Sequence, residues 1–141
     1  MKIKVKKLLS PLVIVVMTVI FGLAVTTAIT QHRYQQSRLK QLHLQQIALA
    51  VRDYLRDHPQ ADQQWPAAFV TGNQTDAIWC ASLERSVSVW DLGAVIKSYL
   101  YQFPLDPSKD IPGISGYYLQ RTDSGWHVGA CSERRQFELP L

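Results

Sequence analysis

The residues of this 141-residue chain best equipped for chemistry are its two cysteines, Cys80 and Cys131, which could form a bridge, half of a metal site or free thiols. Zinc sites need further cysteine or histidine at short spacing, and no C-x-x-C or H-x-x-x-H motif adjoins either one. A disulfide is therefore the expectation, with two buried unpaired thiols as the alternative. In the chain-entropy picture so long a closed loop stabilises a fold by about 4 kcal/mol. A second candidate is the oxygen-rich stretch around Asp106, Ser108 and Asp110. Calcium takes about 6 to 8 oxygen ligands, and this loop offers only the carboxylates of Asp106 and Asp110. A weak calcium site there competes with Asx-turn hydrogen bonding around the prolines, which is the favoured reading. A Ser-His-Asp set can be imagined from His127, Asp106 and a serine. However, G-x-S-x-G, H-E-x-x-H and Gly-rich phosphate motifs are all absent from the sequence, and strand alternation turns His127 opposite Val128, towards solvent. No catalytic residue is assigned, no cofactor is expected, and the chain is read as a non-enzyme.

Charge is distributed unevenly. Residues 1–52 carry eight Lys or Arg and no acid, while residues 53–141 carry seven bases and eleven acids, so +8 and −4 make up the formal +4. A basic arm followed by a mildly acidic domain disfavours nucleic acid as a partner, because phosphate binding needs a basic surface on the folded part. Lys2, Lys4, Lys6 and Lys7 form a basic start (1–7), expected in the cytoplasm. From Leu8 to Thr30 there is no charged residue. At about 1.5 Å per residue this run exceeds the ~30 Å hydrocarbon core, so 8–30 reads as a transmembrane helix. Its length and the loose small-residue pattern at Thr26–Ala28 favour an uncleaved anchor over a removed signal peptide. Gly22 and the small residues Ala24 and Ala28 are read as a small-x-x-x-small stripe for close helix contact in a bilayer. The basic start places the N-terminus inside, and a disulfide needs an oxidising compartment on the far side.

Residues 31–58 contain no Gly or Pro, and Leu44, Ile47, Ala48, Val51, Tyr54 and Leu55 recur on one helical face. The helix therefore continues as an amphipathic stalk, its first part (31–40) standing in water or at the headgroups, until His58-Pro59 ends it. The remainder, 59–141, reads as a small domain. Gln60 to Asp76 is expected to be a surface loop. Asp91 is an N-cap for a short helix bearing Leu92, Val95, Ile96, Tyr99 and Leu100. Ser115–Arg121 and Trp126–Cys131 flank Thr122-Asp123-Ser124-Gly125 as a hairpin. Helices first and strands last make an α+β fold with a C-terminal antiparallel meander or hairpin. Trp65, Trp79, Trp90 and Trp126, with several tyrosines, should fill much of its core.

This order of features resembles the type IV pilins and type II secretion pseudopilins. The stretch concerned is Ala48 to Glu133. Ala50-Val51-Arg52-Asp53-Tyr54-Leu55 is similar to the family's helix end, and Trp65-Pro66 to the aromatic-proline that follows it. Ser98-Tyr99-Leu100 with Pro104-Leu105-Asp106-Pro107 resembles its turn, Gly116-Tyr117-Tyr118 its first strand, and Val128-Gly129-Ala130-Cys131 with Glu133 its last. The family's leader ends in Gly and its apolar helix carries a glutamate. Here Leu9-Ser10-Pro11 stands at that boundary, and Leu8 to Thr30 holds no carboxylate. The resemblance implies a non-enzymatic inner-membrane subunit with a periplasmic pilin-like head. Its partners would be other subunits of a secretion or pilus machine, or further copies of itself. Calcium near the turn is also among the things it implies. The alternative is a membrane-tethered periplasmic binding module unrelated to filament assembly, and a third reading is a small domain freed by signal cleavage.

Overall fold

The computed structural model describes residues 11–74, 76–108, 111–132 and 139–141. The chain divides into two units, residues 1–35 and 36–141. Helix α1 runs through both, from Pro11 to Asp57. At its C-terminal end His58 N donates to Tyr54 O at 2.8 Å and Pro59 stops the ladder.

In the first unit the helix is exposed on all sides, with Val13 to Ile29 presenting Val, Ile, Leu, Met and Phe outward. It is long and apolar enough to cross a membrane. The hydroxyls in this stretch are satisfied locally. Thr18 bonds to Ile14 O at 2.6 Å, Thr26 to Gly22 O at 3.0 Å and Thr30 to Thr26 O at 3.0 Å.

The second unit includes residues 36–57 of α1. A 3-10 turn, Ala61–Gln64, follows. The strands are β1 (Ala68–Gly72), β2 (Ile78–Cys80), β3 (Arg85–Trp90), β4 (Ile114–Thr122), β5 (Gly125–Ala130) and β6 (Leu139–Pro140), with the short helix α2 (Leu92–Val95) between β3 and β4. They form one sheet in the order β2-β3-β1-β4-β5-β6. The pair β1–β3 is parallel and the other neighbours are antiparallel. This is the expected α+β fold, and β4 and β5 are the expected antiparallel hairpin. Thr122 pairs with Gly125 around a two-residue turn, and Asp91 Oδ1 caps α2 by accepting from Ala94 N at 3.0 Å.

Two expectations need correction. The segment 60–76 is not a surface loop: Phe69 and Val70 are fully buried in β1, which lies at the centre of the sheet. The run is only five residues long, too short for periodicity to separate it from coil. Nor is β5 the last strand, since β6 covers its outer edge with Val128 opposite Leu139.

The sheet buries both faces. On one lie Phe69, Tyr117, Leu119, Trp126 and Val128, covered by Leu44, Ile47, Ala48 and Val51 of α1 and by Leu92 and Ile96. On the other lie Val70, Val87, Ile114, Tyr118 and the two cysteines. Strand alternation explains the division, because Phe69 and Val70, or Tyr117 and Tyr118, must point to opposite sides. Trp65 and Trp126 join the first cluster, with centroids 5.4 Å apart, while Trp79 remains 60% exposed.

Tyr118 reaches across to the bare backbone of Gly129, where an added Cβ would lie 2.5 Å from the ring. Gly129→Ala should therefore cost about 1–3 kcal/mol by overpacking. Chemical denaturation of the full chain in detergent, read by tryptophan fluorescence, should show a lowered midpoint; an unchanged midpoint would mean that the ring moves aside freely.

Candidate functional site

The helix face that supplies the core also carries two polar residues one turn earlier. Lys40 and His43 precede Leu44 and Ile47 at helical spacing, so the fold turns all four to the sheet. Lys40 was expected in water, yet it is 2% exposed. Its counter-charge is Asp106, 1% exposed, with Lys40 Nζ 3.6 Å from Asp106 Oδ1. Ser132 completes the set: Lys40 Nζ donates to Ser132 Oγ at 2.9 Å, and Ser132 Oγ donates to Asp106 Oδ2 at 2.6 Å.

Asp106 is placed by its own loop. Its Oδ1 accepts from Ser108 N at 2.9 Å and Ser108 Oγ at 2.8 Å, the Asx-turn favoured from sequence, and its backbone N donates to Ser115 O at 2.7 Å. Gly116 lies against it with φ +82°, and a Cβ there would come 2.7 Å from Asp106 Cβ. Only glycine provides both that conformation and that approach. The carboxylate thus faces inward. Asp110, the other calcium candidate, lies outside the described residues. Among the described residues no group of three or more His, Cys, Asp or Glu is placed to hold a metal ion.

His43 borders the pair. Its Nδ1 is 2.9 Å from the Tyr117 hydroxyl, and the rings meet edge-on at 5.9 Å. Burial lowers the His43 pKa below its ordinary 6.5, against the opposing pull of the Leu105 carbonyl and the Asp106 charge. Burial first, then Asp106, raises the Tyr117 phenol, which keeps its proton. Beneath them Thr71 and Ser115 share a hydrogen bond, and Tyr117 N donates to Ser115 Oγ at 3.1 Å.

Cys80 and Cys131 form the expected disulfide, with Cα atoms 4.7 Å apart. It joins the end of β2 to the residue after β5, directly beside Ser132. The imagined triad is dispersed: His127 Nε2 contacts Ser124 Oγ at 2.9 Å in the hairpin, while Asp106 is engaged with Lys40 and the two serines. Gly22, Ala24 and Ala28 do not make one stripe either. Two residues on a helix are about 200° apart, so Gly22 faces away from Ala24 and aligns instead with Thr18, Thr26 and Thr30. A hollow of about 260 Å³ adjoins the site, lined among others by Thr71, Asn73, Asp91, Phe103, Leu105 and Ser115.

The far end of α1 is latched separately. Tyr99 Oη donates to Asp57 Oδ2 at 2.9 Å. Trp126 Nε1 donates to Asp62 Oδ2 at 3.0 Å, and Arg121 adds an ion pair to the same carboxylate. The Trp126 hydrogen bond first, and Arg121 with it, holds the Asp62 carboxyl below its ordinary range.

Chemically, this arrangement fixes charge rather than presenting a reactive group: the Ser132 hydroxyl is held between an ammonium donor and a carboxylate acceptor. Comparison with protein-family models, with curated proteins and with solved structures gives no match.

Removing one partner of a buried pair leaves an uncompensated charge. Lys40→Met and Asp106→Asn should each destabilise the head by about 3–5 kcal/mol, and the double variant should lose less than the sum, as read from denaturation midpoints. Additive losses would show that the pair is not coupled. For His43, the folded-state pKa lies below 6.5, so its contribution is complete above pH 6.5. As pH falls from 6.5 towards the folded value, the unfolded chain takes up a proton that the folded chain resists, and stability declines. The midpoint should drop with acidification in that window, and His43→Gln should flatten the dependence.

Proposed function

We propose that this chain is a single-pass inner-membrane protein with a pilin-like periplasmic head, acting by assembly with other membrane subunits in a type II secretion or type IV pilus kind of machine. The observation that carries the reading is the character of one helix, α1. Its first part is apolar and exposed on every side, as a lipid-facing segment requires, and its last part supplies the core of an α+β head. Among the sequence elements that resemble pilins, Pro104 to Pro107 lies in the irregular segment that carries Asp106, Gly116-Tyr117-Tyr118 lies in β4, and Val128 to Ala130 lies in β5.

Assembly through the span needs a face that another helix can approach. Gly22 has nothing within 4 Å of an added Cβ, and Thr18, Thr26 and Thr30 on the same winding row have hydroxyls already bonded within the helix. Such a row permits close packing without exposing an unpaired donor. Because Leu8 to Thr30 lacks a carboxylate, association here rests on shape and not on the charge pairing of the family's helix glutamate.

A second reading, a tethered binding module, draws on the 260 Å³ hollow beside the site. The two separate experimentally. Scrambling Leu8 to Thr30 into another apolar order should abolish function in an assembly subunit and preserve it in a tethered module. Gly22→Leu should weaken association in a membrane two-hybrid assay, whereas Ala24→Leu, on the other side of the helix, should have little effect. Unchanged association in Gly22→Leu would remove this face from the interface.

A further inference from the structure

The disulfide and the buried ion pair are adjacent, and their connections run through named atoms. Cys131 N donates to Gly116 O at 2.9 Å. Gly116 lies against Asp106, whose own backbone N is held by Ser115 O. Ser132, next in sequence to Cys131, bridges Lys40 and Asp106. β5 ends at Ala130, so Cys131 and Ser132 lie beyond its ladder. What ties them to β2 is the bridge together with Ala81 N donating to Cys131 O at 3.1 Å.

We propose that closure of Cys80–Cys131 sets the seat for Lys40, so that the oxidation state of the cysteines controls docking of the first turns of α1 in the head. On closure the two thiols lose two protons and two electrons, and one S–S bond forms. The electrons pass by thiol–disulfide exchange to an oxidant of the disulfide class, which leaves as a dithiol. In the reduced chain the segment after Ala130 loses its covalent tie, and Ser132 no longer sits between ammonium and carboxylate. The buried ammonium and the buried carboxylate then each lose one hydrogen bond, a cost that is relieved when the helix turn carrying Lys40 lifts into water. The remaining contacts of α1, from Ile47 to Tyr54, are apolar and do not depend on Ser132. The effect is therefore local to the Lys40 end. This inference stands apart from the assembly reading, since it concerns docking of the helix and not what the protein joins.

Hydrogen exchange of the full chain in lipid nanodiscs tests it. In Cys80→Ser/Cys131→Ser, amides from Lys40 to Ile47 should exchange about tenfold faster, while those of Leu119 and Val128 in the sheet keep their protection. Ser132→Ala, with the bridge intact, should give the same local acceleration, and Ser132→Thr, which keeps the hydroxyl, should restore slow exchange. Unchanged exchange at residues 40–47 in Ser132→Ala would overturn the proposal. So would uniform acceleration of helix and sheet in the double-cysteine variant, which would make the bridge a general staple and not the setting of this seat.

Discussion

A lysine ammonium and an aspartate carboxylate, both removed from water, impose the strictest requirement in the head. Apolar contacts along α1 are tolerant: a helix displaced by one turn would still offer alternating Leu, Ile, Ala and Val to the sheet. The Lys40–Asp106 pair is not tolerant, because any such displacement breaks the contact between two buried charges. Desolvation makes the pair a poor source of net stability and an effective determinant of register. Much of the surrounding detail serves that end, including the Asx turn at Asp106, the bare backbone of Gly116, the bridging hydroxyl of Ser132 and the disulfide next to it.

The sequence disclosed the features that rest on local chemistry. Pro59 ends the helix because a proline must, Asp91 caps α2 because its carboxylate can reach Ala94 N, and the Thr122–Gly125 turn follows from residue types. The cysteine pair was legible for a similar reason, since a zinc site would need further Cys or His at short spacing, which neither Cys80 nor Cys131 has. What stayed hidden depends on contacts distant in sequence. The strand β1 is five residues of mild preference, made central by β3 and β4 on either side. β3 itself carries a local signal, the alternation of Ser86-Val87-Ser88-Val89. Lys40 and His43 also had a visible mark: they continue the face of Leu44 and Ile47 towards the N-terminus. Only the position of Asp106 on the sheet side explains why a cation belongs there.

The two ends of the docked helix are held by different means, and this bears on how the head could work as a contact-making unit. Near Asp57 the attachments are half-exposed hydrogen bonds and aromatic packing, among them Tyr99 to Asp57 and the Trp65–Trp126 contact. Near Lys40 they are buried and ionic. Between them the apolar face from Leu44 to Val51 contributes area without direction. A helix restrained in this way has its rotation and its height set by one polar contact and its adhesion set by the rest. Under the proposed assembly role, that separation would let the head present the same face each time.

One consequence concerns the timing of folding. As the chain is made, α1 precedes both the strands that cover its inner face, β4 and β5, and the carboxylate that answers Lys40. The central strand likewise waits for β3 and β4 before its edges are paired. A newly made molecule therefore passes through an interval in which a finished helix shows a wet lysine and a row of uncovered leucine, isoleucine and valine. During that interval it is open to chaperones and to proteases, and the interval ends only when β4 and β5 have been made.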